Sequence, residues 1–158
     1  MTGAGGVRME TKTILIADDN EQFRQLMEEI ILKIFPDMNV IIHHAETGTE
    51  AIAAFKQSIT DGSPFDVVIT DYSMPGATGS KVIEEVISMH PVPIIVVSAV
   101  PEAYKHDFIQ EGAVYFLPKP FDIATAKKTM NAAFALKINP DDIRKAYEAL
   151  EQLKSLNL

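Results

Sequence analysis

Five short apolar runs alternate with stretches of helical periodicity, and four of the runs end in residues that carry chemistry. Asp18-Asp19 closes Thr13 to Ala17, and Asp71 closes Asp66 to Thr70. Ser98 closes Ile94 to Val97, and Lys119 follows Val114 to Leu117. Apolar runs of this length, bounded by helical patterns, read as buried parallel strands. Ligands of open α/β sheets bind beyond the carboxyl ends of the strands. The sequence therefore gathers three carboxylates, a hydroxyl and an ammonium at one sheet edge, a site suited to a metal ion and a phosphoryl group with Asp71 as acceptor.

The intervening segments fit that sheet. Asn20 caps a helix reaching Phe35, with Phe23, Leu26, Met27, Ile30 and Ile34 on its buried face. A second strand spans Met38 to Ala45, and a second helix runs from Thr47 to Lys56 with Ala51, Ile52 and Phe55 inward. Ser58 to Pro64 reads as a polar turn. The loop from Tyr72 to Gly79 contains Pro75 and Gly76 and is a shaped turn rather than a helix. A third helix covers Ser80 to Met89, and a fourth begins at Pro101 and ends at Gly112. A fifth runs from Asp122 to Leu136. Five strand–helix units predict an α/β, doubly wound, flavodoxin-like parallel sheet of order 2-1-3-4-5. Asn139-Pro140-Asp141-Asp142 then starts an extra C-terminal helix with a stripe of Ile143, Ala146, Tyr147, Leu150 and Leu153. The expected division is a flexible lead over 1–11, one domain over 12–137, and the extra helix over 138–158, for packing, pairing or linkage.

The chain has 158 residues, enough for one domain with a sizeable core. It has no cysteine, which excludes disulfides and thiolate chemistry and fits a reducing cytoplasm. Its net charge of −8 disfavours direct nucleic-acid binding and makes a protein or a cation the better partner. No apolar stretch approaches the roughly 20 residues of a membrane span, so no membrane partner is expected.

At the sheet edge, an aspartate can attack phosphorus directly and form a mixed anhydride. Carboxylate and phosphoryl group repel, so a dication must bridge them, and magnesium favours a few carboxylates with water and substrate oxygens. Asp18, Asp19 and Asp71 are the candidate ligands, joined by the Ser73 backbone carbonyl. Lys119 adds positive charge at the phosphoryl oxygens and Ser98 a hydroxyl donor. Taken singly these residues have plainer roles: Asp18-Asp19-Asn20 as a helix cap, Asp71 as a turn starter. Their joint placement on four strand ends is what points to phosphoryl transfer.

Over Lys12 to Leu136 the chain resembles the response-regulator receiver domain of two-component signalling. Asp18-Asp19 stands at the family's acidic metal pair. Asp71-Tyr72-Ser73-Met74-Pro75-Gly76-Ala77-Thr78-Gly79 fits its Asp-x-x-Met-Pro-x-x-x-Gly loop, and Ser98-Ala99 its Thr/Ser-Ala step. Gly112-Ala113 and Phe116-Leu117-Pro118-Lys119-Pro120-Phe121 fit its ending. The resemblance implies a phosphorylation-controlled switch. A sensor histidine kinase or phosphotransfer protein would phosphorylate Asp71 with Mg2+. Ser98 would then be drawn inward and Phe116 would rotate. The face of the fourth helix, fifth strand and fifth helix would change its protein target or form a homodimer. It also implies a cis Lys119–Pro120 peptide, and no enzyme activity beyond self-catalysed phosphoryl transfer and its reversal by hydrolysis. Ser73 and Val100 would flank the hydrolytic water.

Two other function classes remain to be set beside it. A haloacid-dehalogenase-type phosphatase wants a nucleophile and an acid two residues apart after the first strand, where Asn20 stands, and Ser73 follows Asp71 at that spacing. A constitutive receiver-like interaction module would have no need of the full acidic, hydroxyl and lysine set. His43 and His44 are strand neighbours on opposite faces and do not chelate one metal; one should be packed and one exposed. Tyr115 should face away from Phe116.

Overall fold

The computed structural model describes residues 10–99 and 115–135. Its strands are β1 (Thr11–Ala17), β2 (Asn39–Ala45), β3 (Val67–Thr70), β4 (Ile94–Ser98) and β5 (Tyr115–Pro118). Its helices are α1 (Glu21–Ile34), α2 (Gly48–Thr60), α3 (Gly79–Met89) and α4 (Ile123–Ala135). All neighbouring strands are parallel, in the order β2-β1-β3-β4-β5. This is the expected doubly wound order; β1 is interior, between β2 and β3, while the middle strand is β3. The expected fourth helix, the N-terminal lead and the extra C-terminal helix lie outside the described residues; α4 is the helix read as the fifth.

Alternation along the strands divides the core into two layers. On one face Leu15, Val68, Ile94 and Val96 meet Ala51 and Phe55 of α2 and Val82, Ile83, Val86 and Ile87 of α3. On the other, Ile14, Ile16, Ile69, Ile95, Val97 and Leu117 meet Met27, Ile30 and Ile31 of α1 and Ala126, Met130 and Ala133 of α4. Complete burial of one such side chain stabilises by about 1.5–3 kcal/mol. The interior strands β3 and β4 are buried at every position, as their unbroken apolar runs require. β2 is not a buried strand: Ile41, His43 and His44 are exposed because, among the described residues, it pairs only with β1 and forms a sheet edge.

The helices start where side chains supply the caps. Asn20 accepts from the Phe23 amide at 3.0 Å, Thr47 from that of Glu50 at 3.0 Å, and Thr78 from that of Lys81 at 3.3 Å. α2 continues four residues past the expected Lys56, because Ile59 still packs on the core and the Ser58 and Thr60 hydroxyls bond back to Phe55 and Lys56 carbonyls. In α1 the buried face is Arg24, Met27, Ile30 and Ile31. Leu26, expected inside, is 50% exposed: the inward stripe is turned toward Arg24.

Candidate functional site

The site lies where β1, β3, β4 and β5 end side by side. Asp18 leaves β1 with its amide on the Ala45 carbonyl at 3.1 Å. Asp71 leaves β3 with its amide on the Ala17 carbonyl at 2.9 Å. These ladder bonds continue the sheet by one residue and so bring the two carboxylates together. Asp18, Asp19 and Asp71 each offer an oxygen within 4.8 Å of the others. Asp18 is buried, Asp71 half-buried and Asp19 exposed, so the cluster opens to solvent on one side. Hard carboxylate oxygens suit magnesium or calcium, not the softer transition metals.

Each Asp18 oxygen has a fixed partner. The Asn20 amide donates to Oδ1 at 2.8 Å and the Lys119 ammonium to Oδ2 at 2.7 Å. The same ammonium stands 3.6 Å from Asp71 Oδ2 and 3.9 Å from the centre of the Phe23 ring. A cation on an aromatic face is held by the ring quadrupole. The Lys119 amide donates to the Ser98 carbonyl at 2.8 Å, which ties the end of β5 to the end of β4. The Lys119–Pro120 peptide is cis, as the resemblance implied.

Burial raises the Asp71 carboxyl above its ordinary value of 3.8. Lys119 opposes that rise, the Asp18 charge adds to it, and the Tyr72 and Ser73 amides oppose it again. The Tyr72 amide lies 2.7 Å from Asp71 Oδ1. Ser73 is exposed on the loop that follows, two residues past Asp71.

That loop closes tightly. The Gly79 amide donates to the Tyr72 carbonyl at 2.7 Å. A β-carbon at Gly79 would stand 2.5 Å from both the Asp71 carbonyl oxygen and the Tyr72 α-carbon, so only glycine lets α3 begin this close to Asp71.

Ser98 is the last residue of β4 and is buried. Phe116 pairs in register with Val96, two residues before Ser98. Both Val96 and Phe116 belong to the α2–α3 face, so strand alternation places Ser98 and Phe116 on the same side of the sheet. Tyr115 packs on the other layer and its hydroxyl donates to the Ala132 carbonyl at 3.2 Å. His43 and His44 also face opposite ways: His43 packs edge-on against Phe65, and His44 meets α1. Both are exposed, so the expected division into one packed and one exposed histidine does not hold.

Two members of the surroundings were not singled out from the sequence. Phe23 was read only as core, although its ring carries the Lys119 ammonium. Arg24 was missed altogether; it is buried and its guanidinium donates to the Asp18 carbonyl at 2.6 Å. A cation at position i of an apolar i, i+3, i+7 stripe with Met27 and Ile31 is the signal that marks it.

A 2-1-3-4-5 parallel sheet whose carboxyl edge joins an acidic triad to a lysine defines a receiver domain. The family model described as "Response regulator receiver domain" matches residues 14–131, and the chain belongs to that family of two-component signalling proteins. It is 29% identical over 117 residues to a protein-glutamate methylesterase/protein-glutamine glutaminase of Hahella chejuensis, a match covering 71% of this chain and 28% of that protein. The chain thus spans under a third of that curated relative. Among solved structures it resembles the response regulator TrrA of Thermotoga maritima in complex with Mg(2+)-BeF, at 28% identity and TM-score 0.64, over 77% of this chain and 98% of that one. The CheX–CheY–BeF3–Mg complex of Borrelia burgdorferi shares the fold at 24% identity and TM-score 0.69, over 79% of this chain and 90% of that chain. Among the described residues no helix is long and apolar enough to cross a membrane.

Proposed function

We propose that this chain is a phosphorylation-controlled switch whose acceptor is Asp71, working in the cytoplasm. An Asp71 carboxylate oxygen attacks the phosphorus of a phosphohistidine on a sensor kinase or phosphotransfer protein. The phosphorus–nitrogen bond breaks, its electron pair stays on the imidazole, and an aspartyl phosphate results. Asp18, Asp19, Asp71 and the Ser73 carbonyl would hold magnesium, which neutralises charge between the carboxylate and the phosphoryl oxygens. Lys119 and the Ser98 hydroxyl stabilise those oxygens. Asp71 and its neighbours transfer the group to and from this chain alone, so the protein is not an enzyme in the ordinary sense.

The observation that carries this reading is the Lys119 ammonium, set 2.7 Å from Asp18 and 3.6 Å from Asp71 at the mouth of the acidic cluster. An apolar groove formed by Phe23, Leu26, Ile30, Pro120, Phe121 and Ile123 borders the same lysine. Leu26 and Ile123 are 50% and 59% exposed there, which suits docking of the phosphoryl donor. Ser98 and Phe116 share a face, which suits a switch in which the phosphoryl group draws Ser98 inward, Phe116 follows, and the face around β5 and α4 changes its protein target or pairs with a second copy. With magnesium and acetyl phosphate, intact-mass spectrometry is expected to show one added phosphoryl group on the wild type and none on Asp71→Asn. Full labelling of that variant would overturn the assignment.

A further inference from the structure

The buried cation of α1 has no part in the chemistry proposed above, yet it holds three polar partners beside it. Arg24 is 5% exposed. Its Nη1 donates to the Asp18 carbonyl at 2.6 Å, its Nε to His44 Nδ1 at 3.2 Å, and its Nη2 pairs with Glu46 at 3.7 Å. His44 in turn presents Nε2 to Glu28 at 3.3 Å. Accepting at Nδ1 and donating at Nε2 is the pattern of one neutral tautomer, so the ring and the guanidinium orient each other.

The carbonyl that Arg24 grips belongs to the peptide joining Asp18 to Asp19. A peptide is planar, so fixing its carbonyl fixes the direction in which the Asp19 α-carbon departs. Asp18 itself is held at its amide and at both carboxylate oxygens. Asp19 is exposed, with a carboxylate oxygen within 4.8 Å of those of Asp18 and Asp71, and that peptide plane sets where its α-carbon stands.

We propose that Arg24 is a positioning residue for the metal site: its planar fork, set by His44 from the edge strand, locks the Asp18–Asp19 peptide so that both carboxylates converge with Asp71 on one dication. The proposal rests on the reading of these three aspartates as magnesium ligands. It has a definite sign. By charge alone, removing a cation would tighten magnesium binding; by position, removing the fork weakens it.

The test is calorimetric titration of magnesium into the full chain, with a thermal melt of each variant. Wild type is expected to bind. Arg24→Met is expected to bind roughly tenfold or more weakly, as lost outer partners of metal ligands do. Arg24→Lys, which keeps the charge but not the fork, should fall between. His44→Gln, whose amide oxygen can accept from Nε, should retain affinity, and His44→Leu should lose it. Equal or tighter binding by a folded Arg24→Met overturns the inference. Should Arg24→Met fail to fold, the His44 pair decides, and equal affinities of the two variants overturn it. Absence of binding by wild type would instead overturn the metal site itself.

Discussion

Asp71 is costly to keep ionised. Burial raises its proton affinity in the folded chain, so the folded state binds more protons than the unfolded one at pH just above 3.8. Stability therefore gains as pH falls into that range, and at neutral pH the charged carboxylate is a burden. Asp71→Asn is expected to melt at a higher temperature than wild type at pH 7 without magnesium, with the gap closing toward pH 3; a lower midpoint for the variant at pH 7 would contradict this. Lys119 is subject to two opposed demands. Its ammonium occupies Asp18 Oδ2 and repels a dication, yet it is also the charge available to phosphoryl oxygens. Lys119→Met should therefore bind magnesium more tightly and label with acetyl phosphate about 100-fold more slowly, the scale of losing one electrostatic stabiliser. Calorimetry and initial labelling rates check the two halves separately.

At the scale of elements, the closure of the β3–α3 loop makes a sharp demand. Gly79→Ala would drive a β-carbon into the Asp71 carbonyl and the Tyr72 backbone. A cost of about 1–3 kcal/mol is expected in denaturant melts, with loss of labelling even where the fold survives. Much of this architecture was legible in the sequence. The interior strands announce themselves as unbroken apolar runs, and the caps at Asn20, Thr47 and Thr78 lie at or beside the expected helix starts. The loop after Asp71 was legible through Pro75, Gly76 and Gly79. What was not legible depends on neighbours distant in sequence. The exposure of β2 follows from its place at the edge, which no local pattern states. The outward turn of Leu26 and the inward turn of Arg24 follow from where Asp18 and His44 sit. The grip of Lys119 on Asp18 and its perch on Phe23 required the packed fold, since a single lysine at a strand end signals neither.

At the scale of the molecule, one edge of the sheet carries both the acidic cluster and an exposed apolar groove. Leu26→Asp is expected to slow transfer from a phosphorylated donor protein roughly tenfold or more, by placing a charge in the groove. Labelling by acetyl phosphate, which needs no docking surface, should be unchanged. A parallel loss with both donors would show that the substitution had damaged the fold instead.

The contact between Lys119 and Asp18 spans 101 positions of the chain. A polypeptide still emerging from the ribosome exposes Asp18 and Asp19 first, Asp71 next, and the Lys119 ammonium only after β5 has left the exit tunnel. Until then the carboxylates have no counter-charge from Lys119, and β4 has no partner in β5. On the proposed function, competence to accept a phosphoryl group thus rises only as the sheet is completed, and a half-made chain competes poorly with finished copies.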